Sequence, residues 1–198
     1  MKAINRRKLL FSSVAAGAVS AISLSKAKAQ SGQTHGAGPF TVRANEGRPG
    51  GLWLVHGEKA FSTKVSGADI AKKYVAIEVH TPPRRGPEMH VHFGQNELFF
   101  VLSGSIGLQC GSDRTILRVG DAFMAPADVP HAYVTLGSEP AHMLNVYDPA
   151  GDMEGFFAEY APLISADGEP DPKKLAEAYA KHGMKVVGPP LSAASFSS

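Results

Sequence analysis

The stretch PEMHVHFGQNELFFVLSG, residues 87–104, places His90 and His92 two positions apart and Glu97 five positions further on. In an extended strand, side chains at i and i+2 share a face and stand roughly 6.5 Å apart along the backbone. The two imidazoles therefore point the same way. The four residues FGQN between His92 and Glu97 include Gly and Asn, which suit a tight reversal. A hairpin there would return Glu97 toward the histidines. Imidazole donors suit Fe, Ni, Cu and Zn, and a carboxylate widens the range to Mn. Such a site needs one more ligand. The stretch GDAFMAPADVPHAYVTLG, residues 120–137, offers His131, which follows a turn framed by Pro126 and Pro130. The plainer alternative is a pair of solvent-facing strand histidines and an ordinary turn charge at Glu97.

The rest of the chain must supply strands to carry these residues. Short apolar runs bounded by Gly and Pro recur at 51–57, 72–81, 97–104, 105–110, 115–120, 121–127, 131–137 and 141–148. Many short strands at this spacing argue for a β-sandwich or barrel. Beyond Pro149 the pattern changes, and GDMEGFFAEYAPLI and DPKKLAEAYAKHG read as helices. In the second, Asp171 caps, Pro172 fits the first turn, Gly183 fits the end, and Leu175 and Tyr179 form a packing face. His182 is expected to do no more than complement the helix dipole, and the closing VVGPPL reads as extended. In ELFFVL, Glu97, Phe99 and Val101 face one way, and Leu98, Phe100 and Leu102 the other. Both faces are apolar, so both need cover, from the helical tail or from a second copy. A homodimer is the expectation.

The spaced residues resemble the two motifs of the cupin family. The first motif, His-x-His, three or four residues, Glu, six residues, Gly, is met by His90, His92, Glu97 and Gly104. Of the second, Gly120, Pro126 and His131 match, whereas Asp128 stands where Gly is usual and Thr135 where Asn is usual. Gly86 lies nearer His90 than the family's leading Gly. The resemblance covers about residues 40–191 and is closest in kind to small single-domain cupins related to quercetin dioxygenase. It implies a mainly β fold, a single cupin jelly-roll β-barrel with short C-terminal helices. It implies one divalent transition metal (Fe, Mn, Ni, Cu or Zn) inside the barrel, held by His90, His92, Glu97 and His131. In the quercetin dioxygenase group the motif Glu also takes a substrate proton, so Glu97 becomes a candidate catalytic base. Phe99, Phe123, Met124 and Tyr133 are candidate pocket walls that serve equally well as core, Tyr133 is also a candidate proton donor, and Glu88 is a candidate support for the ligands. His80 and His142 read as satisfied strand residues and His56 as exposed.

The N-terminus, MKAINRRKLLFSSVAAGAVSAISLSKAKAQ, has a basic start, a moderately apolar stretch and Ala27-Lys28-Ala29 as a small-x-small cleavage site. NRRKLL resembles a twin-arginine export signal. The apolar run is short of the ~20 residues a spanning helix needs, so no stable membrane anchor is expected after processing. The resulting organisation is a signal peptide over 1–29, a flexible lead-in over 30–39, a barrel over 40–150 and a helical extension over 151–198, with a periplasmic or secreted product cut near Ala29. Removing residues 1–29 takes six basic residues from the chain's 20 and leaves 14 against 18 acidic ones, a charge of about −4. No basic excess remains to suggest a nucleic-acid partner. The single cysteine, Cys110, forms no internal disulfide and reads as packing. The function expected is an exported, metal-dependent, dioxygenase-type oxidoreductase acting with O2 on a small aromatic or enolisable molecule. The competing reading is a non-redox isomerase or small-ligand-binding protein of the same fold.

Overall fold

A computed structural model describes residues 38–165 and 170–196. The expected signal peptide, its cleavage site and His35 lie outside the described residues. Eleven strands and two α-helices follow in chain order among the described residues: β1 (Leu52–Val55), β2 (Glu58–Val65), β3 (Val75–Thr81), β4 (Glu88–His92), β5 (Asn96–Ser103), β6 (Ser105–Cys110), β7 (Asp113–Arg118), β8 (Ala122–Ala125), β9 (His131–Thr135), β10 (Ala141–Asp148), α1 (Met153–Ser165), α2 (Pro172–Lys181) and β11 (Met184–Pro190). No helix among the described residues is long and apolar enough to cross a membrane.

The strands form two antiparallel sheets, one ordered β1-β2-β3-β10-β5-β8 and the other β11-β4-β9-β6-β7. Their non-sequential order is that of a jelly roll: from β3 to β10 the chain crosses between the sheets at every step except the β6–β7 hairpin. The inner faces carry Ile77, Val79, Phe99, Val101, Ile106, Leu108 and Met143, each at most 2% exposed. Period-two alternation explains the selection, because β5 turns Glu97, Phe99 and Val101 inward and leaves Phe100 and Leu102 exposed. Cys110 is buried with this core, and burial, assisted by Asp113, raises its thiol pKa.

Two features depart from the sequence expectation. The FGQN segment does reverse the chain, with Gly94 at φ 64°, but it is not the loop of a hairpin. β4 lies in one sheet and β5 in the other, so the turn is a corner between sheets. His90 and His92 therefore face Glu97 across the interior instead of beside it on one ribbon. The strand β2, EKAFSTKV, went unread because Ser62 and Thr63 break its apolar pattern, yet both are fully buried.

The helices close one end of the structure. α1 runs along β1 and β2, and α2 lies against β11. Asp171 accepts from the Lys173 amide at 2.9 Å, and Leu175 and Tyr179 are buried, as the helix pattern requires. His182 does more than face the helix dipole. Its ring, 4% exposed, sits 2.8 Å from Asp152 Oδ2 and 3.0 Å from Glu159 Oε2, tying the end of α2 to α1. The helical tail leaves the outward side chains of β5 uncovered: Phe100 is 37% and Leu102 39% exposed. At the chain's end Phe196 lies flat over Gly107, where any Cβ would stand 2.5 Å from the ring. The Arg114 guanidinium stacks on that ring at 4.6 Å and donates to Ser195 Oγ at 2.8 Å.

Candidate metal centre

His90 and His92 project inward from β4, Glu97 from β5 and His131 from the first position of β9. His90 and His131 are cross-strand partners. One ligand atom from each of the four lies within 4.8 Å of the others, and all four residues are buried. His90 Nε2 is 3.1 Å from His92 Nε2, Glu97 Oε2 is 3.1 Å from His131 Nε2, and His92 Nε2 is 3.4 Å from Glu97 Oε2. The four candidate residues thus converge on one point.

The tautomers follow from what stands behind each ring. His90 Nδ1 lies 2.7 Å from the Glu88 carbonyl and His131 Nδ1 2.9 Å from the Val129 carbonyl. A carbonyl only accepts, so both Nδ1 atoms carry hydrogen. His92 Nδ1 lies 2.6 Å from Gln95 Oε1. The Gln95 amide is oriented by its own donation from Nε2 to the Pro149 carbonyl at 2.7 Å, so Oε1 accepts here too. In the neutral rings all three Nε2 atoms then carry bare lone pairs, aimed inward. Two such lone pairs 3.1 Å apart, at His90 and His92, repel unless something positive lies near them. Three imidazoles backed by carbonyl-type acceptors, together with a carboxylate, suit a divalent transition ion.

The electrostatics agree. Burial and the neighbouring His92 and His131 push the His90 pKa down to about 3. Burial also lowers that of His92. At Glu97 burial opposes ionisation, but the His131 hydrogen bond and the surrounding imidazoles prevail and hold the pKa at about 2. At His131 burial disfavours the cation, yet Glu97 outweighs it and raises the pKa. Without a cation, a proton on His131 occupies the space between that ring and Glu97. Metal binding displaces such a proton, which makes binding weaker at lower pH.

The surrounding contacts hold the ligands still. Asn145 Nδ2 donates to Glu97 Oε1 at 2.8 Å, leaving Oε2 for the centre. Tyr147 stacks on His92 with ring centroids 5.7 Å apart, Phe99 meets His131 edge-on at 6.0 Å, and Tyr179 packs on His90 at 5.2 Å. Tyr179 also donates to Glu88 Oε2 at 3.2 Å. Glu88 therefore supports the site twice, by its carbonyl on His90 and by its carboxylate on Tyr179. Gln95, Asn145 and Tyr147 escaped the sequence reading, and Tyr179, expected only as a packing residue of the second helix, also reaches the site. Asn145 had left a usable signal, a lone amide on the inward parity of an otherwise apolar strand.

The cluster opens on a cavity of about 740 Å³ lined by Phe61, Phe99, Tyr133, Tyr147, Phe156 and Tyr160 among others, with Lys59 and Arg85 also on its wall. Phe99 and Tyr133 are walls as expected. Phe123 packs partly buried against the core and does not line the cavity. Met124 is corrected: it is 51% exposed, because Phe123 pairs with inward Phe99 and the next residue must face out. The Tyr133 hydroxyl is paired with Thr81 Oγ1 at 2.8 Å, and burial raises its pKa. His56 is exposed, as expected. Asp128 stands at φ 65°, the left-handed conformation that Gly adopts freely and Asp tolerates, and its Oδ1 accepts from the Gly94 amide at 3.2 Å.

Residues 77–147 match the family model described as a cupin domain. The chain carries a cupin domain. The match runs from β3 through β10 and includes all four clustered residues. Among solved structures, the domain is similar to KdgF from Halomonas sp., at 19% identity and TM-score 0.47, covering 59% of this chain and 99% of that one. It is also similar to a cupin-superfamily sugar phosphate isomerase from Silicibacter pomeroyi, at 24% identity and TM-score 0.40, covering 46% and 61%. A third is described as a predicted oxalate decarboxylase from Thermotoga maritima, at 18% identity and TM-score 0.43, covering 45% and 78%. No protein of curated function matches the chain.

Proposed function

We propose that this cupin is an exported, metal-dependent oxidoreductase of the dioxygenase type, acting on a small aromatic or enolisable molecule. The observation that carries the reading is the convergence of three imidazole lone pairs and one carboxylate oxygen at the edge of an aromatic-lined cavity of about 740 Å³. His90, His92, Glu97 and His131 would hold the ion. Bound there, a divalent transition metal supplies Lewis acidity toward a substrate oxygen and, when redox-active, electron exchange with O2. The chain's own part is positioning and proton handling. Phe61, Phe99 and Phe156 present apolar surface to a flat ring and exclude water. Glu97 would accept a proton from an enol or phenol, with Asn145 holding its other oxygen. Tyr133, with its hydroxyl engaged by Thr81, serves as wall and not as acid.

The deciding experiment is elemental analysis of protein exported by its native route, followed by O2-uptake assays over a panel of flavonols, phenols and enols. A redox-active ion and substrate-dependent uptake are the expected results. A stoichiometric zinc ion with no uptake across the panel would replace this reading by a non-redox isomerase or binding protein.

The exposed outer face of β5 also supports a homodimer. Phe100, Leu102 and Met124 stand out on the six-stranded sheet with no covering element among the described residues. Light scattering at micromolar concentration should give twice the chain mass. A monomer mass would end the proposal.

A further inference from the structure

The six-stranded sheet holds a second cluster of ligand-type side chains on its outer face. Glu78 and His80 lie two apart on β3, and His142 on β10 is the registered cross-strand partner of His80. The parity of β3 turns Ile77 and Val79 into the barrel and these two residues outward. The two rings stack with centroids 3.9 Å apart and planes 20° off parallel. Both Nε2 atoms are buried, and neither has a hydrogen-bond partner. His142 Nε2 comes within 2.9 Å of Glu78 Oε1 without the angle of a hydrogen bond, and His80 Nε2 lies 3.8 Å from Glu78 Oε2. One ligand atom from each of the three lies within 4.8 Å of the others. Buried polar nitrogens are nearly always partnered, so a registered pair that is not demands a reason.

We propose that Glu78, His80 and His142 form a second cation site, separate from the barrel interior, for a borderline-soft divalent ion such as Zn(II). Two imidazoles and one carboxylate oxygen are a donor set that Zn(II) accepts, with water completing four-coordination. The carboxylate is set for the task. Ser62 Oγ, Lys59 Nζ and Lys64 Nζ all lie 2.9 Å from Oε2, so Oε1 is left to face His142. The lysines are themselves anchored: Lys59 donates to the Ala44 carbonyl, and Lys64 to the carbonyls of Arg43, Ala44 and Glu46. His80 is neutral at physiological pH, since burial, His142 and Lys59 push its pKa down to about 4. The same two ammonium groups repel an incoming cation, which makes this site the weaker of the two.

The test is Zn(II) titration of the untagged, metal-stripped chain by equilibrium dialysis. Two equivalents are expected, the second about tenfold weaker or more, given two ammonium charges beside the carboxylate. His80→Ala and His142→Ala should each lose the weak equivalent and keep the tight one. His92→Ala should lose the tight one and keep the weak one, so failure at either site is distinguishable from failure at the other. Lys64→Met should tighten the weak equivalent, a response that adventitious surface binding would not give. A single equivalent in the parent chain overturns the proposal. So does a weak equivalent that survives in both His80→Ala and His142→Ala, with retained melting temperature showing that those variants fold.

Discussion

His92→Ala should leave the barrel interior without metal: the purified variant should retain less than about a tenth of the parent's content by elemental analysis. His92 is the hub of the cluster. Its Nε2 is 3.1 Å from His90 Nε2 and 3.4 Å from Glu97 Oε2, so it connects the β4 ligands to the β5 carboxylate. Its removal leaves donors that no longer surround a common centre. The fold should survive, because the lost ring lies against Tyr147 in a region already open to the cavity. A graded companion is Gln95→Leu, which keeps every ligand and removes the acceptor that fixes the His92 tautomer, together with the donor to the Pro149 carbonyl. It should weaken metal affinity by about 10–100-fold. Unchanged metal in His92→Ala would refute the inner site outright. Unchanged affinity in Gln95→Leu, with loss in His92→Ala, would show that the tautomer needs no help.

Gly86→Ala should be among the most damaging single methyl additions in the domain. A Cβ on Gly86 would stand 1.9 Å from the Tyr133 carbonyl oxygen and 2.9 Å from its carbon. The neighbouring hydrogen bonds prevent escape. Arg84 donates to the Thr135 carbonyl at 3.1 Å, and Thr135 donates to the Arg85 carbonyl at 2.9 Å, so the segment is laced to β9 immediately beside the contact. The obstacle is backbone and not a movable side chain, so either β9 shifts or the lacing breaks. A loss of about 3 kcal/mol or more is expected by urea unfolding. Because β9 begins with His131, metal content should fall as well. A stability change below about 0.5 kcal/mol, the range of ordinary surface substitutions, would mean that the close approach is not maintained.

The ligand set was legible because its pieces are local. His-x-His on a strand, a reversal, a carboxylate and a histidine after a Pro-framed turn each follow from short stretches. The corner at FGQN was not legible in full: Gly94 announces that the chain turns, but nothing in four residues says whether the next strand pairs with the last or crosses to the other sheet. Met124 illustrates a different failure. Phe123 and Met124 are adjacent on a strand, so period two forbids both from lining one cavity, and only the pairing of Phe123 with Phe99 decides which faces in. Gln95 and Asn145 were invisible in their roles because those roles depend on partners 54 and 48 positions away in the chain, Pro149 and Glu97. The pairing of His182 with Asp152 and Glu159 depends on the packing of two helices. Asp128 matters for its backbone as much as its side chain: at φ 65° it occupies the conformation that the family's usual Gly supplies, which is why the departure from the motif leaves the turn intact.

β11 pairs along the whole of β4, with Met184 opposite His92 and Val186 opposite His90. The strand that carries two of the ligands therefore owes one of its edges to a segment that lies beyond both helices in the chain. The ligands themselves all precede Pro149, so having them is not the same as having the edge that holds them. A product truncated near Gly183 keeps every ligand and lacks that edge, and it should be unable to retain metal.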